Sequence, residues 1–270
     1  MSSPVFSGGS EFKPGATFDQ QGNAVTADQL QQMYDAPSAT AVDTGRMSYE
    51  GTIAKTAGIA ILTMLAAAPG YMFPNVAGMW IGGLAAFVLS LVIIFQKRAN
   101  PVLIALYAVA EGYFLGAITA WVETRFDIPG AGLQALIATF VTFAVCLALY
   151  RSGKVRYGPK MQKFLMIGGL SYLVFSLINL GYMWFGPSQS AWGLRSDVHI
   201  GPFPLGVLLG LFAVALACVS LIGDFDFIEN AVKGGAPVHV EWKAAFGLIL
   251  TLVWLYIEFL RIIALLSGRD

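Results

Sequence analysis

The stretch SLIGDFDFIEN, Ser220–Asn230, closes an apolar run that begins near Pro204 and sets Asp224, Asp226 and Glu229 close together. Either these acids are the wet end of a membrane helix, or they are carboxylates held inside a bilayer for a purpose. Helical geometry narrows the choice. Asp224 and Asp226 are two apart and project about 200° from one another, so they cannot both face one neighbour. Asp226 and Glu229 are three apart and share a face. One aspartate can therefore point into a bundle, while the other lies toward the headgroups or caps a frayed turn beside Gly223.

The rest of the chain supplies the bilayer. Of 270 residues, 57% are hydrophobic and only 12% charged, about half the charge of an ordinary soluble domain. The composition is that of an all-α integral membrane protein. Formal net charge is zero, which gives no footing for a nucleic-acid partner. Cys146 and Cys218 lie inside apolar runs and read as reduced thiols used as small hydrophobes. Residues 1–50 are a different material, rich in Ser, Gly, Gln, Asp and Ala, and too polar to bury a core. They are expected to form a disordered cytoplasmic tail, with TADQLQQMYD (Thr26–Asp35) as a candidate short helix, ahead of a transmembrane domain over 51–270. No apolar core of a cleavable signal appears among them.

A membrane helix needs about 20 largely apolar residues. Seven such segments are predicted at 54–73, 76–95, 101–121, 132–150, 162–185, 203–228 and 243–266. They are separated by polar or turn-forming stretches such as Phe73-Pro74-Asn75 and Asp127-Ile128-Pro129-Gly130. With seven spans, one side of the membrane holds Lys13, Arg46, Lys55, Lys97, Arg98, Arg151, Lys154, Arg156, Lys160, Lys163, Lys233 and Lys243. The other holds only Arg125, Arg195 and Arg269. Lys and Arg favour the cytoplasmic side, so the N-terminus is expected inside and the C-terminus outside.

Ionisable groups inside a span are costly and usually face the bundle interior. Besides the opening stretch, Glu111 in the third span and Glu258 in the seventh qualify. Glu111 adjoins small residues at helical spacing, Ala105, Ala108, Gly112 and Gly116, a seam that lets helices approach closely. It reads equally as a protonated acid in an interhelical hydrogen bond or as part of an ion path. Glu258 can pair with Arg261 at i,i+3. Alternatively Arg261 snorkels to the interface and leaves Glu258 needing another partner, which is the preferred reading.

The order DFDFIEN, then a Gly-Pro-containing loop, then EWKAAFGLILTLVWLYIEFLRIIALL (Glu241–Leu266) resembles the end of the Bax inhibitor-1 family. These are also called transmembrane Bax-inhibitor-motif proteins, and their bacterial relatives are the YccA-like proteins. MSYEGTIAKTA (Met47–Ala57) and AEGYFLGAIT (Ala110–Thr119) are similar to the family's actinobacterial-type branch, so the likeness covers roughly 47–266. It implies seven helices with the seventh central. It also implies, for some members, a pH-sensitive Ca²⁺ leak sensed by two acids that share a proton. Asp226 matches the first acid through its D-x-x-E setting. Glu258 matches the second in LYIEF, where the family commonly has LYLDF. Here the chain departs by one methylene, and the loop VKGGAPVHVEW is longer than in many relatives. Lys97 and Arg98 are the nearest matches to a basic latch at the inner end of helix two; Asp226 is expected to be the buried aspartate and Asp224 the interfacial one, with Glu229 on the face of Asp226 and nearer the cytoplasm.

The expected function is thus a proton-gated Ca²⁺ leak pathway in the cell's inner membrane, built on Asp226 and Glu258. Two close carboxylates in a poorly solvated site cannot easily both ionise, and losing a shared proton leaves a negative site suited to a hard cation. The rival is a non-transporting regulator, since the resemblance also implies a membrane-bound protease as partner. An enzyme is disfavoured: neither Gly-x-Ser-x-Gly nor His-Glu-x-x-His occurs, and His199 and His239 fall in loops. No cofactor is indicated beyond Ca²⁺ as permeant ion.

The charge asymmetry makes a topological prediction. A cysteine placed in the first 45 residues resists an impermeant thiol reagent in intact cells, while one placed near Arg195 reacts; the reverse pattern would invert the protein in the membrane.

Overall fold

The computed structural model describes residues 45–96, 98–186 and 190–267. Seven helices are long and apolar enough to cross a membrane. They are α1 (Tyr49–Met72), α2 (Val76–Phe95), α3 (Pro101–Phe126), α4 (Ala131–Arg151), α5 (Pro159–Phe185), α6 (Leu205–Lys233) and α7 (Val240–Leu266). The expected spans are all present, and several run on past their apolar segments. A helix satisfies its own backbone groups, so nothing obliges it to stop where the oily residues do. DFDFIEN is accordingly helical throughout, and α6 continues through Gly223 to Lys233.

Local chemistry sets the breaks. Ser48 caps α1 by accepting from the Gly51 amide at 2.9 Å, and Asn75 caps α2 by accepting from that of Gly78 at 3.1 Å. Asn100 caps α3 ahead of Pro101, whose missing N–H costs nothing in a first turn. Asp127 ends α3 in a left-handed conformation, φ 50°, one that Asp tolerates better than most residues. Between α5 and α6 lie one helical turn, Leu194–Asp197, and a two-stranded hairpin pairing His199–Ile200 with Phe203–Pro204.

Helix α7 is the axis of the bundle. It packs against α1, α3, α4 and α6 and receives a side-chain hydrogen bond from α5. Ala245, Phe246, Ile249, Leu255 and Leu260 along it are nearly inaccessible, whereas α2 and α5 turn broad faces of Ile, Leu, Val and Phe outward, as lipid-facing helices do.

One boundary moves. Residues 45–48, expected within the disordered tail, are docked against the α6–α7 connection. Arg46 bridges Pro237, the Met47 amide donates to the Ala236 carbonyl at 2.7 Å, and the Met47 side chain is 2% exposed. The anchor is Glu241, which pairs with Lys55 and accepts from the Ser48 amide at 2.8 Å. The compact unit therefore starts at Gly45. Residues 1–44, with the candidate helix at 26–35, lie outside the described residues.

The small-residue seam of α3 faces α1. A Cβ on Gly112 would meet the Thr63 carbonyl, and one on Gly116 the Ala67 carbonyl, so only hydrogen fits at either position. At Gly82 the nearest atom, the Ala110 carbonyl oxygen, lies 3.3 Å from such a Cβ. Gly112→Ala or Gly116→Ala is therefore expected to cost about 1–3 kcal/mol by overpacking and to lower the melting temperature in detergent. Gly82→Ala should cost clearly less. Equal tolerance at the three sites would remove the case for close α1–α3 contact.

Candidate functional site

Two separate polar sites appear where sequence reasoning expected one. They lie toward opposite ends of the α6–α7 hairpin, near the α6–α7 connection and far from it.

The near site contains the acids of the opening stretch. Asp224 points at α7, where its Oδ2 accepts from Thr251 Oγ1 at 2.9 Å, and Ser220 lies 3.4 Å from the same hydroxyl. Nine residues separate Asp224 from Lys233, so this carboxylate sits about 14 Å inside the helix end. Asp226 points the other way, toward α4: it accepts from Asn230 at 2.9 Å and lies 3.5 Å from the Tyr150 hydroxyl. Glu229 is held by Tyr150, Lys233 and Arg156. Tyr157, in the loop before α5, lays its ring against Gly223. Burial, and then the charges of Asp224 and Asp226, raise its phenol above the ordinary value.

The assignment of the two aspartates is thus reversed from expectation. Asp224 is the residue turned into the bundle, and Asp226 lies on the α4 side with Glu229. The 200° separation was correct, but helix rotation, which decides which aspartate faces inward, comes from packing.

The far site contains Glu258, 1% exposed. Its carboxylate accepts from Arg261 Nη1 at 2.9 Å to each oxygen and from the Tyr172 hydroxyl of α5. Arg261 does not snorkel outward as expected. It folds back onto Glu258 and Tyr172 and stacks over Trp192 with its guanidinium carbon 5.5 Å from the ring centre. A second guanidinium, Arg195 from the α5–α6 loop, donates to Tyr172 and Ser176 at 2.8 Å each and is 4% exposed. Burial and then Arg261 pull the Arg195 pKa below its ordinary range, yet a guanidinium stays charged at any physiological pH.

The expected pairing of Asp226 with Glu258 does not form. Glu258 is level with Gly210 on α6, where an added Cβ would lie 4.0 Å from Glu258 Oε2. Asp226 is sixteen residues further along α6, about 24 Å of helix. The cause is the antiparallel hairpin: residues equidistant from the Gly234–His239 connection face each other, which sets Asp224 against Gly247 and Thr251.

Among the supporting candidates, Glu111 is 8% exposed and has no hydrogen-bond or ion-pair partner among the described residues. The Tyr107–Phe246 and Thr119–Tyr256 contacts bracket it, which sets Glu111 at about the height of Thr251 on α7. Arg98 is exposed and makes no ion pair among the described residues, so it does not act as a latch on either acid here. Lys97 lies outside the described residues. Tyr172, Arg195 and Tyr150 were missed. Of these only Arg195 carried a signal, as a rare basic residue on the side depleted of them.

Fold and site together define a seven-helix, multi-pass integral membrane protein with acids buried along a central helix. The family model for Bax inhibitor 1 like proteins matches residues 3–268, and the chain belongs to that family. A search of curated proteins gives no match.

The far site has a testable energetic signature. Glu258→Gln leaves Arg261 and Arg195 together without the carboxylate between them. Removing one partner of a buried pair costs about 3–5 kcal/mol. The melting temperature should drop sharply, and an apolar variant that also removes the second guanidinium, Glu258→Leu/Arg261→Met/Arg195→Met, should recover much of it. A Glu258→Gln protein as stable as the parent would show that the pair is not structural.

Proposed function

We propose that this protein is a cation leak pathway of the cell membrane, with Ca²⁺ as the permeant ion and Asp224 as the proton-sensitive group. The observation that carries the reading is Asp224 itself. It is a carboxylate one-third of the way into the bundle, bonded by the neutral hydroxyl of Thr251, with no cationic partner among the described residues. Glu229, Glu241 and Glu258, by contrast, are each met by Lys or Arg. An acid left without a counter-ion in a span is a functional position by default.

The chemistry follows from charge and ligand type. Protonated, Asp224 is neutral, keeps its bond to Thr251 and offers a cation nothing. Ionised, it places a negative charge beside the Thr251 and Ser220 hydroxyls, all oxygen donors of the kind a hard cation takes. Such a small set binds weakly, which suits passage, since conduction needs sites that an ion can leave. Glu111, at similar height on another side of α7 and also without a cation, is a second acid available to the path. Tyr157 packs against Gly223, one residue before Asp224. Under this reading the protein carries out no covalent chemistry.

Because ionisation opens the site, the sign is fixed: Ca²⁺ flux rises as pH rises on the side that titrates Asp224. In proteoliposomes, Asp224→Asn should flatten this pH dependence and lower the flux at high pH, whereas Asp226→Asn should have the smaller effect. An unchanged pH profile in Asp224→Asn would overturn the proposal.

A further inference from the structure

The bundle has a second feature, which Asp224 does not line. A cavity of about 540 Å³ lies between α1 and α4, with α3 and α7 as its floor. Its volume is in the range of pockets that hold small ligands. The wall is mostly apolar, including Ala60, Ala68, Leu136 and Val253, and its apolar rim residues Met64, Leu133 and Phe140 are exposed, so it opens sideways to the bilayer rather than to water.

The cavity has length and polarity. Along α1 it runs from Ala60 to Tyr71, eleven residues or about 16 Å, which is close to half of a hydrocarbon core about 30 Å thick. It thus spans one leaflet, from mid-membrane to the ends of α1 and α3. Charged and unspent polar groups gather at that end; deeper in the groove Thr63 and Thr139 donate their hydroxyls to the Ile59 and Ala135 carbonyls of their own helices. Glu123, three residues from the end of α3, accepts from the Tyr71 hydroxyl at 2.7 Å and from the Gly132 amide at 2.9 Å. Thr119 and Tyr256 share a hydrogen bond just below, at 2.6 Å. Glu123 has no cationic partner among the described residues, and each of its oxygens uses one lone pair on a neutral donor and keeps another.

We propose that this cavity is a binding site for one lipid of the adjoining leaflet, the outer one in the orientation expected from the basic residues, and that the lipid carries an ammonium headgroup. One acyl chain fills the apolar groove, whose length matches a single leaflet. The ammonium donates to Glu123 and supplies the positive charge that the protein does not. Headgroups that carry no cationic donor leave that carboxylate unmatched. A bilayer lipid is the occupant because the mouth opens at membrane depth.

The test uses the full-length protein in nanodiscs of equal phosphatidylethanolamine and phosphatidylglycerol, with retained lipids counted by native mass spectrometry. The parent should retain phosphatidylethanolamine in preference by about tenfold, the size expected from one charge-assisted hydrogen bond. Glu123→Gln keeps one acceptor oxygen for the Gly132 amide and turns its NH₂ to the Tyr71 hydroxyl, which can accept in turn; it should abolish the preference with little change in melting temperature. Ala68→Trp, at an exposed position on the cavity wall, should fill the groove and lose the bound lipid altogether. Equal retention of both lipids by the parent, an undiminished preference in Glu123→Gln, or lipid still held by Ala68→Trp would each overturn the proposal. None of these readouts depends on ion flux.

Discussion

The buried carboxylate of Glu258 ties two helices and a loop of this structure together. It gathers a guanidinium from its own helix and the hydroxyl of Tyr172 from α5, and through Tyr172 it reaches Arg195 in the α5–α6 loop. An unmatched guanidinium in a medium of low dielectric is costly enough that neither arginine could be buried there alone. Closing the far end of the bundle therefore leans on this acid. The aromatic faces of Trp192, Tyr172 and Phe175 complete the shell around the two cations, a favourable arrangement where water is excluded.

The near end is fastened by the same physics with other residues. Glu241, at the start of α7, takes Lys55 and the Ser48 amide, which pins the beginning of α1 to the axis. Glu229 takes Lys233, Arg156 and Tyr150, which ties α6 to α4 and its following loop. Between these neutralised ends, Asp224 and Glu111 have no cation of their own among the described residues, and neither does Glu123 near the far end of α3. The contrast separates carboxylates that hold the bundle from those free to meet something that enters it. Asp224 and Glu111 are deep enough to meet an ion, and Glu123 lies where a headgroup would be.

How far the sequence could be read follows from which forces are local. The seven spans, their breaks at Asn75, Pro101 and Asp127, and the close face of α3 were legible, because hydrophobic length, capping chemistry and small-residue spacing act within one segment. The acids that matter were also legible as a set, since each is an exception inside an apolar run. Their partners were not. Asp226 was matched to Glu258 through family resemblance, although hairpin geometry argues against it: Asp226 is only seven residues before the end of α6, whereas Glu258 is eighteen beyond the start of α7. Residues so unequally placed about a short connection cannot meet.

The sequence by itself thus determined that the chain crosses a membrane seven times and that a few carboxylates would have to be dealt with inside it. Both follow from the free energy of single groups in hydrocarbon. Tertiary structure alone decided which of Asp224 and Asp226 turns inward, that Arg261 folds back rather than outward, that Arg195 comes in from a loop to join it, and that residues 45–48 belong to the folded unit. Each of those outcomes is a choice between arrangements of similar local cost. It is settled by the rotation and register of one helix against another, which depend on side chains distant in sequence.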